Sequence, residues 1–206
     1  MRILALLAFV LFGTTVAARG LDFAEEMHGY GYWNAEFRDV SFYLDVQIPD
    51  IDAWRASAAH PANVTGYTVF DGGAALPITG QLQIMTAVPG VDGRLLVYRL
   101  NAASFRYLGA KLVHDDRGFD VVDDVTRLRG VFRTTAQPLP DVHTMLRRAQ
   151  WSSEVFFEWW RPSVLWDFFV SFTVTNAWWW EHIPVKVLFV ETFLGGLAEE
   201  FFPWLY

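Results

Sequence analysis

The chain has 206 residues, a formal net charge of −7, a composition 53% hydrophobic and 17% aromatic, and no Cys. That length can bury a core without disulfides or structural zinc, and the missing Cys excludes thiol catalysis, iron–sulfur clusters and Cys-based zinc sites. The acidic balance argues against a nucleic-acid partner, and the apolar content argues against disorder.

Residues 1–18 read as a secretory signal peptide. Arg2 supplies a positive start, residues 3–16 are apolar apart from Gly13, Thr14 and Thr15, and Val16-Ala17-Ala18 places small residues at the exit. The run is short for a transmembrane helix, which needs about twenty residues. The expectation is cleavage after Ala18 and an exported protein, periplasmic or secreted, with an uncleaved anchor as the alternative. Asn63-Val64-Thr65 is a glycosylation sequon, relevant only in a eukaryotic source.

Residues 19–138 read as an antiparallel β module. Phe42, Leu44, Val46 and Ile48 alternate with Tyr43, Asp45 and Gln47, the period of a half-buried strand. Leu82, Ile84, Thr86 and Val88 repeat the pattern, and residues 94–100 and 104–114 are further strand-length runs. Between them sit Asp71-Gly72-Gly73, Pro89-Gly90-Val91-Asp92-Gly93, Asn101-Ala102-Ala103 and Asp115-Asp116-Arg117-Gly118, whose Gly, Asn and Asp suit tight turns. Turns this closely spaced favour an antiparallel meander over parallel crossovers. One short helix, 51–58, is expected with Asp50 as its N-cap. A barrel or sandwich follows, because a lone sheet would leave an apolar face and two edges bare.

Residues 139–206 form an aromatic-rich extension that holds eight of the ten Trp. The periodicity predicts a helix from Asp141 to Pro162, with Val142, Met145, Leu146, Ala149, Val155, Phe156, Trp159 and Trp160 on one side. A short helix from Pro162 through Phe169, a strand at 171–176 and a final helix from Pro184 to about Phe202 complete the pattern. The fold class expected is mainly β, a barrel or sandwich with C-terminal helices packed on it. Two readings of the extension compete. In one, Trp159, Trp160, Trp166, Trp178, Trp179, Trp180 and Trp204 meet a membrane or a partner. If 160–178 were helical it would extend roughly 27 Å, close to a bilayer core. In the other the same residues pack as core. Asp167 would be costly in hydrocarbon, and Thr173, Thr175 and Asn176 suit a strand.

Chemistry-bearing motifs are sparse. No His pair has helical zinc spacing, and neither a Gly-x-Ser-x-Gly elbow nor a phosphate loop occurs. His114-Asp115-Asp116 with Asp120, Asp123 and Asp124 could gather oxygens around calcium, but the spacing does not fit an EF-hand and a solvated turn explains it. Glu25, Glu26, His28 and Glu36 form a possible carboxylate site. In a strand Glu26 and His28 share a face and Glu25 takes the other. The residues call for no catalytic group, metal or cofactor.

Phe23-Ala24-Glu25-Glu26-Met27-His28-Gly29 resembles the opening of a β-rich accessory module that accompanies GMC-type, cholesterol-oxidase-like flavin oxidoreductases in bacteria. Similar segments follow in order: Ile51-Asp52-Ala53-Trp54, His60-Pro61-Ala62, residues 72–78 with Gly80, Val97-Tyr98-Arg99-Leu100, residues 109–120, Asp124-Val125-Thr126-Arg127-Leu128, and 167–177 with a last helix at 191–202. No Gly-x-Gly-x-x-Gly opens a βαβ unit, so the resemblance implies a stand-alone copy without the flavin-binding part. It implies no catalytic residue, makes 171–177 a strand, and points toward steroid, lipid or alcohol oxidation.

The expected function is therefore an exported, non-catalytic accessory or binding module. Its partner would be an apolar small molecule, lipid or steroid-like, or an oxidoreductase that it docks. Tyr30, Tyr32, Trp33, Phe42, Trp54, Tyr98 and Tyr107 would line the ligand cavity or form core. The alternatives are a membrane-associated subunit of a larger complex, held by the Trp-rich segment at a membrane surface, and a cofactor-free barrel enzyme.

Overall fold

The computed structural model describes residues 18–33, 35–114, 121–148, 150–158 and 160–201, without the side chains of 121–123 and 196–201. Eight antiparallel strands follow one another around a closed barrel: β1 (Gly20–Trp33), β2 (Glu36–Ile48), β3 (Pro61–Phe70), β4 (Leu76–Ala87), β5 (Arg94–Asn101), β6 (Phe105–Val113), β7 (Arg127–Thr134) and β8 (Ser153–Phe156). Each strand pairs with its neighbours in sequence, and β8 returns to β1. Closure removes the bare edges that an open sheet would expose. A ninth strand, β9 (Thr173–Thr175), lies outside the barrel on the first residues of β1.

The alternation of Phe42, Leu44, Val46 and Ile48 points those side chains into the barrel, where all four are buried. The pattern in β4 shifts as it passes the register break between Gln83 and Thr86, with Met85 at φ 52°. That bulge buries Met85 alongside Ile84, so strict alternation does not reach Val88. Asp71 and Gly72, both at positive φ, make the β3–β4 turn as expected. The turn expected at 115–118 lies outside the described residues.

One end of the barrel is filled by aromatic rings. Phe105 and Phe132 meet edge to face at 5.3 Å, and Phe70, Trp33 and Tyr107 close around them. The other end carries the helices. Here α1 (Ile51–Ala56) joins β2 to β3, and Asp50 Oδ1 accepts from the amides of Asp52 and Ala53. It ends two residues earlier than the sequence indicated. A short helix, α2 (Val121–Thr126), joins β6 to β7. Outside the barrel, α3 (Val142–Arg147) presses Val142 and Met145 onto the outward side chains of β5–β7, among them Val97, Leu108 and Val131.

The single helix expected from Asp141 to Pro162 does not form. The segment is α3 followed by β8, and Val155 points into the barrel core. Barrel closure decides this: β1 and β7 both expose strand edges that 153–156 satisfies. The eighth strand thus comes from beyond residue 138. The extension then gives α4 (Pro162–Ser171), β9, a 3-10 turn (Trp179–Glu181) and α5 (His182–Phe201). Residues 160–178 are therefore not one helix, and no helix among the described residues is long and apolar enough to cross a membrane. Residues 1–17, which hold nearly all of the expected signal peptide, lie outside the described residues.

Candidate functional site

The helix-bearing end of the barrel holds a partly open cavity of about 460 Å³, with the exposed Phe169, Val190 and Leu194 at its mouth. Its wall is set by inward positions of β4 and β5, chiefly Leu82, Ile84 and Leu96. Its cover is aromatic. Phe168 and Phe172 of the α4 region and Phe189 of α5 pack against one another and against Phe23 of β1 at centroid distances of 5.0–6.0 Å.

The cover is placed by a gap in the wall. On one side β1 pairs with β8 only from His28 to Gly31, and with β9 only from Gly20 to Asp22. Between these partners the backbone amide of Ala24 has no strand to donate to. It donates instead to Ser171 Oγ at 2.9 Å, at the end of α4. A serine hydroxyl thus completes the backbone pairing and fixes α4 over the opening.

The alternation that buries Phe23 and Met27 also turns Glu25 inward. The same rule in β6 places Lys111 on the inner face with Phe105 and Tyr107. Both side chains line the cavity, with Lys111 2% and Glu25 7% exposed. Lys111 Nζ donates to Glu25 Oε1, and Tyr98 Oη donates to Glu25 Oε2 at 2.8 Å. Lys111 Nζ also lies 5.4 Å from the Tyr98 ring centroid, within cation–π range. Burial, then the Glu25 carboxylate, pushes the Tyr98 hydroxyl well above the usual phenol range. Every group in this cluster satisfies another, which is the condition for keeping charges in an apolar interior.

Of the seven residues expected to line a cavity, Tyr98 alone lines this one. Phe42 and Tyr107 are buried in the filled end, where Ser153 Oγ donates to Tyr107 Oη at 3.2 Å. Burial pushes the Tyr107 hydroxyl far above the usual phenol range. Trp33 caps the same cluster. Trp54 is buried behind the cover, stacked on Phe189. Tyr30 and Tyr32 are exposed on the outer face, where both pack on Phe37. Glu26 and His28 share the outer face at 2.6 Å, Ser41 Oγ meets the other ring nitrogen, and Glu36 pairs with Arg38. Asp124 accepts from the His114 amide. Asp115, Asp116 and Asp120 lie outside the described residues, and no group of three metal-ligating side chains occurs among the described ones.

The Trp-rich extension is divided. Trp160, Trp166, Trp178, Trp179 and Trp180 are exposed, while Trp159 and Trp204 lie outside the described residues. Trp178 and Trp180 stack in parallel on each other, 5.2 Å apart. On α5 the buried residues Val185 and Phe189 face the barrel. Ile183, Val187, Val190 and Leu194, spaced i, i+4, i+7 and i+11, form an exposed apolar stripe. A helix apolar on both faces is unusual at a water-facing surface.

Compared with protein-family models, curated proteins and solved structures, the chain finds no significant match.

Proposed function

We propose that the protein is an exported binding module whose barrel takes up an apolar small molecule. The supporting observation is the cavity: about 460 Å³, walled by aliphatic and aromatic side chains, with its charged atoms gathered in one cluster. Small-molecule sites are commonly of this size and character. In this reading the module serves an oxidoreductase acting on the same lipid, steroid or alcohol class, as the resemblance of its segments implies. Organic extraction of the purified protein followed by mass spectrometry, with calorimetric titration of decanol into extracted protein, tests it. Stoichiometric uptake is expected, and Leu96→Phe should weaken it by filling the wall. No uptake of decanol, with nothing extracted, refutes it.

A second reading rests on the exposed face of the extension. Trp166, the Trp178–Trp180 cluster and the α5 stripe all expose apolar side chains. Large exposed apolar patches mark protein or membrane contacts, so this face holds the module to a bilayer or to a membrane complex. Co-sedimentation with phosphatidylcholine vesicles, lost on changing Trp178, Trp179 and Trp180 together to Ser, is the expected result. Protein left in the supernatant at every lipid concentration argues against the bilayer.

A further inference from the structure

We infer that the cavity selects uncharged amphiphiles, an apolar body with one hydroxyl or ketone head, over fatty-acid anions and alkylammonium cations. The inference rests on the apolar-binding reading above and specifies its ligand. Among the described residues, Glu25 and Lys111 are the charged side chains lining the cavity, and they neutralise each other. Both Glu25 oxygens are engaged, one by Lys111 and one by Tyr98, and the Tyr98 hydroxyl spends its proton there. An ammonium has three N–H donors, and among the described residues Lys111 has one acceptor, Glu25. Lys111 therefore keeps donor capacity for a ligand oxygen, and each Glu25 oxygen keeps a lone pair, so a neutral hydroxyl or ketone head can be met without adding charge. A carboxylate head would also find a donor, but it would bring a negative charge that nothing in the cavity balances. An alkylammonium would bring a positive charge beside Lys111 that Glu25, already paired, does not balance. Charges without a partner in such surroundings are strongly disfavoured.

The test is calorimetric titration of the full chain with decanol, decanoate and decylammonium at neutral pH. The wild type should bind decanol at least about tenfold more tightly than either ion, a preference of about 1.4 kcal/mol. Two variants reverse the order in opposite directions. Glu25→Gln leaves Lys111 without a counter-charge, so decanoate should become the preferred ligand. Lys111→Met leaves Glu25 unbalanced, so decylammonium should. Where a variant is too unstable to titrate, raised thermal stability with its matching ion and not with the other reports the same preference. The wild-type comparison decides even if neither variant folds. Decanoate or decylammonium binding as tightly as decanol overturns this inference and leaves the binding module intact. None of the three binding overturns the binding module itself.

Discussion

Gly130→Ala offers a severe test of the barrel interior. Gly109 of β6 and Gly130 of β7 face each other in register, and the Tyr107 ring lies across both. A Cβ at Gly130 would sit 2.7 Å from the Leu108 carbonyl oxygen and closer still to Oη and Cζ of Tyr107. The oxygen belongs to a paired strand and the ring is fully buried, so neither has room to yield. Overpacking of this kind costs about 1–3 kcal/mol, and losing the Ser153–Tyr107 hydrogen bond adds about 1, for a total of about 2–4 kcal/mol. Gly195→Ala is the control. It lies in α5, a Cβ there meets nothing within 4 Å, and helix propensity alone should stabilise by about 0.5–1 kcal/mol. The same chemical change thus has opposite signs at two sites. Guanidinium unfolding followed by Trp fluorescence measures both. In a Tyr107→Leu background the Gly130 penalty should fall by at least about half, as expected for directly coupled neighbours. A Gly130→Ala cost below about 0.5 kcal/mol, typical of surface changes, would refute the packing described for Tyr107.

Three further outcomes are expected. Tyr98 and Tyr107 both titrate above the ordinary phenol value of 10.0 in the folded protein, so their contribution to stability is complete below that pH. As pH rises further the unfolded chain releases these protons first, and stability should fall from about pH 10 upward, a fall that Tyr107→Phe makes shallower; a flat stability profile into strong alkali contradicts this. Lys111 and Lys186 are the lysines of the chain, the first buried and the second exposed. Reductive methylation read by peptide mass spectrometry should modify Lys186 rapidly and spare Lys111 until the protein unfolds, whereas equal rates would place Lys111 in water. Asp50→Ala removes the acceptor of two helix amides and should cost about 1 kcal/mol in thermal or denaturant unfolding. An unchanged midpoint would mean that α1 is held by packing alone.

The barrel strands were legible because their inward faces are apolar and their outward faces polar, as in 42–48. β8 was not legible for the opposite reason. Its strand is four residues long, and Phe156 follows Val142 and Met145 at i+14 and i+11, a spacing that a helix also satisfies. Only the unpaired edges of β1 and β7 make it a strand, and edges are a property of the assembled sheet. Half of the cavity's polar cluster could be anticipated, since alternation puts Glu25 opposite to Glu26 and His28. Its partner stands 86 positions further along the chain, so no local pattern joins them. The available signal was Lys111 itself, a cation on the inward face of the 104–114 run, in phase with Phe105 and Tyr107. Aromatic residue type was a poor guide to the cavity. Phe42 and Tyr107 fill the opposite end, and the rings that do cover the cavity come from the extension.

β1 is the seam of the molecule, and this has a consequence for assembly in time. It has β2 as a neighbour along its whole length, but its other side is completed by residues 153–156, 171 and 173–175. During synthesis the meander from β1 to β7 can form pair by pair as each hairpin emerges. The inner surface of β1, including Glu25, then waits beside an open flank until the late segments arrive. Ring closure is a long-range step that local contacts cannot accelerate, and contacts of large sequence separation slow folding. The interval in which the flank stands open is when a chain of this kind is most exposed to association with its own copies. Shortening the route from β7 to β8, rather than strengthening the strands, is the change that would most reduce that exposure.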